Sequence, residues 1–376
     1  MRHIRYISLI MVLICGLSFT GSAYAVAAEN ESADLSIQQA FEQANKNNPD
    51  LRSAELSEQQ AEIAKDDAAE VVEFIPGGGL ISPEVQSVAN SYQTAEISWN
   101  KAVKSQKSTQ EQVTKEVIAA YIDALKARNS MEAASISLLE AKDQLRMKSL
   151  AKAVGTMSDF DYEKAKLSNQ QQEEQYKNLQ AQYDSSVSSL RSLLGEDGSW
   201  NPVLTSKAII SQYKRDDLLL ELSRGLSNSV AVWSAKAELE KERSRESWII
   251  QGTTSEDQAI NSGLKEASYE QAKRDSTSQI EQLYYSIDSL EGQIAAAEKA
   301  YNTAKKDSEL AELKYQLGLI PQSSMSGGES LSSLSRSAET SRLSLENLQA
   351  SLLQSKASFS YLTGNTIYDV ADWSNN

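Results

Sequence analysis

The chain has 376 residues and a formal net charge of −15, with one cysteine, Cys15, and one histidine, His3. Both fall in the first 25 residues, which read as a removable export signal, so the remainder lacks the residues for a Ser-His-Asp or Cys-His nucleophile, a Cys/His zinc site or a disulfide. Without Arg2 and Arg5 it keeps 35 basic against 52 acidic side chains, a charge near −17 that repels phosphate backbones and speaks against nucleic-acid binding.

Arg2 and Arg5 precede an apolar run over 7–19, and Ala23-Tyr24-Ala25 offers a small-x-small cleavage site, with Val26-Ala27-Ala28 as the alternative. Cys15 follows the bulky Ile14, which disfavours a lipid-anchor reading. No other segment reaches the roughly 18 apolar residues of a spanning helix. The expected mature chain is exported, and either soluble or attached to a membrane by something other than a helix.

Six helices are predicted beyond the signal, at about 35–74, 84–154, 158–194, 214–250, 264–317 and 328–363. Pro49 falls in the first turn of a periodic stretch, where its ring is tolerated. Residues 84–154 contain neither Gly nor Pro, and 71 helical residues span about 106 Å at roughly 1.5 Å each. Such a rod does not fit a rounded globule. Its apolar residues alternate steps of three and four, from Val117, Ala120 and Ala124 to Leu138, Ala141 and Leu145. The same spacing runs from Ile280, Leu283 and Ile287 to Tyr315, and from Leu331 and Leu334 to Phe359 and Leu362. A mean step of 3.5 places each set on one slowly drifting seam, which is coiled-coil packing.

Turn chemistry closes the rods. Val154-Gly155-Thr156 supplies a left-handed cap and Ser158 or Asp159 the next helix start, while Leu317-Gly318-Leu319 with Pro321 repeats the stop. A Ser- and Gly-rich stretch follows over 322–337. Gly195-Glu196-Asp197-Gly198 with Asn201-Pro202 reads as a linker. Asp159, Asp161 and Glu163 suit the positive end of a helix better than a metal or acid–base site. The alternating charges of Glu240, Lys241, Glu242, Arg243 and Arg245 mark an exposed face. Tyr176, Tyr183 and Leu190, seven apart, read as seam residues. No phosphate loop, metal cluster or nucleophile elbow is present, so no cofactor and no enzymatic activity are expected.

The helices form two sets of three. Asn47-Asn48-Pro49-Asp50-Leu51 has its counterpart around Asn228-Ser229-Val230, Val154-Gly155-Thr156 in Leu317-Gly318-Leu319, and Leu194-Gly195 in Thr363-Gly364. Order and breaker position argue for an internal duplication, with repeats at 26–200 and 201–376.

With the opening Leu35-Ser36-Ile37-Gln38-Gln39-Ala40 and the closing Tyr361-Leu362-Thr363-Gly364, this arrangement resembles the TolC-like outer-membrane efflux protein family over nearly all of the mature chain. This chain's own pattern makes the protomer all-α. The resemblance implies long antiparallel coiled-coil hairpins, three protomers forming a hollow helical cylinder that the family continues with a shared β-barrel through the outer membrane. It further implies a periplasmic adaptor docking at Val154, Gly155, Thr156, Leu317, Gly318 and Leu319, with an inner-membrane pump completing the exporter. Family members insert two long strands between the first two helices of each repeat. A membrane strand takes about 9–11 residues, and neither the Pro- and Gly-rich 74–83 nor the stretch from Trp248 to Gly263 has room for a full pair; the second holds at most one short strand. The usual barrel is therefore expected to be truncated or absent. Membrane contact would fall to Phe74, Ile75, Leu80, Ile81, Trp248, Ile249 and Ile250, or the chain would span none. A conduit for envelope export is the leading expectation; an exported coiled-coil scaffold that has lost transport is the alternative.

Overall fold

A computed structural model describes residues 34–73, 82–196, 202–205, 215–245, 254–324 and 329–365. The export signal, Phe74, Ile75, Leu80 and Ile81, and Trp248, Ile249 and Ile250 lie outside the described residues.

Helix α1 (Ile37–Asn47) starts at a capping box in which Ser36 Oγ accepts from Gln39 N at 3.2 Å and Ser36 N donates to Gln39 Oε1 at 2.7 Å. Its buried residues, Ile37, Ala40, Phe41 and Ala44, keep one face. The chain then leaves the helix at Asn48, whose ψ of 122° is the extended value imposed on a residue preceding proline. Helix α2 (Pro49–Glu73) resumes at once, with Asn48 Oδ1 accepting from Asp50 N at 2.8 Å. A matching break at Ser229, ψ 116°, separates α5 (Leu218–Asn228) from α6 (Val230–Arg245), and Ser229 Oγ accepts from Val232 N. The first rod of each set, expected to be continuous, is therefore two helices, because a residue at the extended ψ cannot continue the hydrogen-bond ladder.

The long rods are α3 (Pro83–Ala153, 71 residues), α4 (Asp159–Leu194, 36), α7 (Ser255–Gln316, 62) and α8 (Leu331–Thr363, 33). Three starts differ from the sequence reading by three residues or more; α5 opens at Leu218 and not at 214, because Asp217 caps it by accepting from Leu219 N. Helix α7 begins nine residues before 264, because Thr254 Oγ1 accepts from Asp257 N at 3.0 Å while the Asp257 carboxylate accepts from Thr254 N. The polar stretch beginning at Ser255, read as room for a short strand, is thus helix. Helix α8 begins at Leu331, three residues after the expected 328, because Ser330 Oγ accepts from Ser333 N and caps it there.

Asn47 Nδ2 donates to Leu194 O at 3.3 Å, so α4 ends where α2 begins, and the two run end to end along α3. Asn228 Nδ2 donates to Tyr361 O at 3.2 Å, and α8 and α6 line α7 in the same way. Helix α3 also packs on α6 and α8. The order of columns is α2/α4, α3, α6/α8, α7: an antiparallel layer about 106 Å long at roughly 1.5 Å per helical residue. No helix among the described residues is long and apolar enough to cross a membrane.

The predicted seams are buried. Val117, Ala124 and Leu138 face the neighbouring rods, as do Ile280, Ile287, Ile294 and Ala311. Tyr315 departs, being exposed, because the α7 seam runs out one turn before the tip. Helix α8 carries two stripes. Leu345, Leu352 and Phe359 pack with α7, while Ala350, Leu353 and Ala357 join a core with α1, α3 and α4.

A strand pair was not legible in the sequence: β1 (Asp34–Leu35) runs parallel to β2 (Val203–Leu204). Tyr121, fully buried on α3, donates from its hydroxyl to Leu35 O at 2.9 Å and ties this pair to the rod. Leu35 O also accepts from Thr205 N. Tyr121→Phe therefore leaves the carbonyl with a partner and is expected to cost only about 1 kcal/mol, read as a small drop in urea midpoint with unchanged slope.

Candidate functional site

At one end of the layer the rods turn. Val154 caps α3, Gly155 sits at φ +78°, Gly155 N donates to Lys152 O at 3.0 Å and Thr156 N to Ala151 O at 2.9 Å. At the second turn Leu317 caps α7, Gly318 sits at φ +72°, Gly318 N donates to Tyr315 O at 2.9 Å and Leu319 N to Lys314 O at 2.8 Å. Each is the paired Schellman closure that requires a left-handed residue after the cap. The six residues singled out from the sequence thus occupy the same positions in two copies of one turn. Val154 and Leu317 are each 74% exposed and Leu319 is 69% exposed.

The exits differ. After the first tip, Ser158 Oγ accepts from Asp161 N at 3.1 Å and α4 begins immediately. Lys152, on the last turn of α3, bridges to Asp159 at 2.8 Å and lies 4.5 Å from the Tyr162 ring. After the second tip the chain needs a longer path: Leu331 N donates to Pro321 O, Ser332 N to Gln322 O, and Lys314 pairs with Glu329. Asp159 and Asp161 stand in the first turn of α4 and suit the helix dipole there.

The hydrogen bond from Lys152 holds the Asp159 carboxyl below its ordinary value of 3.8 and the Lys152 ammonium above its ordinary 10.5. A depressed acid stabilises above its ordinary value and loses that as pH falls through the depressed one. A raised base stabilises below its ordinary value and loses that as pH rises through the raised one. Amide protection in the first turn of α4 is therefore expected to persist from neutral pH to below 3.8 and then fall. In Asp159→Asn it should be lower at neutral pH and lack that acid step; amide exchange across the two proteins checks both.

Farther from the tips, the two hairpins meet through polar contacts. Arg336 bridges to Asp143 at 2.8 Å, Asn129 Nδ2 donates to Asn347 Oδ1 at 3.1 Å, and Arg342 on α8 lies among Glu132, Glu339 and Glu346. Sequence reasoning missed this seam, since charged residues three and four apart look solvated until a second helix covers them. The outer columns each pack on one side only. They leave apolar residues exposed: Leu56, Ile63 and Val71 on α2, Leu167 on α4, and Ile260, Leu264 and Tyr285 on α7. Among the described residues, no cluster of three metal-ligating side chains occurs.

No family sequence model matches the chain, and no curated protein matches it in sequence. Solved structures match its fold. The open-state MtrE outer membrane channel of Neisseria gonorrhoeae superposes with a TM-score of 0.64 at 13% identity, covering 89% of this chain and 90% of its own. The CmeC outer membrane channel of Campylobacter jejuni gives 0.61 at 12%, covering 96% of both chains. A membrane protein from Pseudomonas aeruginosa gives 0.61 at 13%, covering 92% and 93%. The likeness expected from the sequence is thus met at the level of the fold: over about nine-tenths of its length the chain shares the long-helix architecture of these solved structures.

Proposed function

We propose that this chain is the non-enzymatic conduit component of an envelope export system, assembled as a homotrimer and docked by an extracytoplasmic adaptor at its two hairpin tips, with an inner-membrane pump behind the adaptor. The observation that carries this reading is the layer of four antiparallel columns with two unlike, unpartnered apolar edges. One edge is α2 with α4, the other α7. Unlike edges meet head to tail, and a constant rotation between copies closes them into a ring with no stripe left exposed. The duplicated organisation, 26–200 and 201–376, gives each copy two tips of the same geometry, so a ring offers its partner a regular crown. Export of small molecules or polypeptides is the role such a tube serves.

The cell envelope is the proposed location, at the outer membrane by the likeness. Eight residues, 74–81, lie between α2 and Ser82, and eight more, 246–253, between α6 and Thr254. A pair of membrane strands with a turn takes more than about 20, so each repeat lacks the room for its share of a barrel. Phe74, Ile75, Leu80, Ile81, Trp248, Ile249 and Ile250 are left to make whatever membrane contact there is.

The mass of the purified mature chain tests the assembly. A particle of about three times the protomer mass, elongated by small-angle scattering, is expected from ring closure. A monomer under all conditions overturns the conduit and leaves the exported coiled-coil scaffold as the reading.

A further inference from the structure

Both tips display apolar surface beyond the six residues of the turns. Leu150 and Leu313 stand one helical turn before Val154 and Leu317, at the same spacing in each repeat, and are 64% and 56% exposed. On α4, one residue past the Asp159 bridge, Phe160 is 77% exposed, the highest value among the large apolar side chains described. A side chain of this size on water is unusual, and clustered instances mark contact surfaces. The turn that carries Phe160 is also joined to α3. The Lys152–Asp159 bridge and the Lys152–Tyr162 contact tie the first turn of α4 to the last turn of α3. An aromatic anchor on a rigid support loses little entropy on binding and dominates interface energies.

Charge indicates what covers it. In a chain of net charge −15, positions 146 to 166 hold five basic side chains against three acidic ones. Arg146 and Lys164 are exposed there. The bridge to Asp159 satisfies Lys152, so the positive excess rests on the surrounding side chains.

We infer that the docking surface of the first tip extends to Leu150 and Phe160, and that its occupant is a protein surface with an apolar centre and an acidic rim. Leu313 plays the part of Leu150 at the second tip, without an aromatic. This rests on the adaptor-docking reading and names the chemistry of that partner. Complementary rim charge speeds encounter and excludes partners of the wrong sign, while the buried aromatic sets the lifetime of the complex.

The test is photocrosslinking in the intact envelope of the source cell, with a benzophenone side chain placed at position 160 or, separately, at position 156 of the full chain. The expected result is one protein product at 160, whose crosslinked peptide is apolar and flanked by Asp or Glu. Its yield should fall about tenfold in the double variant Arg146→Glu, Lys164→Glu, which reverses the rim. A product at 156 but none at 160 overturns the extension while leaving tip docking intact. No product at either position takes down the docking reading itself. Lipid crosslinked at 160, a second copy of this chain, or a basic peptide overturns the proposed occupant. Co-sedimentation of the wild type with phosphatidylglycerol vesicles, lost in Phe160→Ser, likewise assigns the tip to a membrane and overturns it.

Discussion

Replacing Gly155 and Gly318 together by tryptophan is expected to abolish export while the rods stay folded. Each glycine occupies the left-handed region, φ +78° and +72°, and nothing lies within 4 Å of where a Cβ would stand. The cost to the chain is therefore conformational strain alone, roughly 1–2 kcal/mol per site. The last turn of the helix can relieve it by fraying, without disturbing the seams. The cost to docking is larger, because a bulky ring fills the surface that a partner must approach. Losing about 2 kcal/mol of hot-spot contact weakens each docked tip roughly 30-fold. The control comes from the other two left-handed glycines. A Cβ on Gly195 would stand 3.0 Å from Asn47 Cβ, and one on Gly364 2.8 Å from Asn228 Cγ. Those glycines sit where α4 meets α2 and α8 meets α6, so Gly195→Ala and Gly364→Ala should lower the melting temperature and leave docking unchanged in whatever protein remains folded. Export and thermal melting measured on both pairs separate the roles. Equal losses of stability in the two pairs would count against the tips as docking points.

The rods were legible because their physics is local and periodic. Steps of three and four bury Ile280, Ile287 and Ile294 wherever the partner helix lies, and Gly155 and Gly318 announce left-handed caps by residue type alone. The breaks at Asn48 and Ser229 were harder to see. Proline at the first helical position is compatible with a continuous rod on sequence grounds, and only the extended ψ of its predecessor ends the ladder. The second stripe of α8 was hidden for a different reason. Ala350, Leu353 and Ala357 obey the same spacing as Leu345, Leu352 and Phe359, one face over, and a single seam absorbs the pattern before the second is sought. Parallel pairing of Asp34–Leu35 with Val203–Leu204 joins residues far apart in sequence, and two-residue strands carry no period. Of the candidate site, the turns were readable, whereas Leu150, Phe160 and Leu313 emerged only from their exposure. None of the three falls on a predicted seam, and residue type alone does not show whether an off-seam apolar side chain is covered by a neighbour.

Two neighbouring substitutions on α8 are expected to diverge, and their contrast identifies what holds the second hairpin together. Phe359 is fully buried among Ile280, Ile287 and Leu352, with the Tyr284 ring 6.1 Å away and tilted by 56°. Phe359→Ala removes an aromatic at the point where α5, α7 and α8 converge, and the rods cannot close the gap without losing register over neighbouring turns. The expected cost is about 3–5 kcal/mol. Lys356, three residues earlier, is also buried, and its ammonium bridges to Glu291 at 3.2 Å. Breaking a buried pair is costly when it strands a charge, but Glu291 is 44% exposed and keeps Arg215 at 3.4 Å as a second partner. Lys356→Met retains the aliphatic stem and removes the desolvated ammonium, so it is expected to be neutral or slightly stabilising. Urea unfolding followed by circular dichroism, at one fixed protein concentration, should shift the midpoint strongly down for Phe359→Ala and barely for Lys356→Met. The opposite order would mean that charge pairing, and not the apolar seam between α7 and α8, maintains the hairpin.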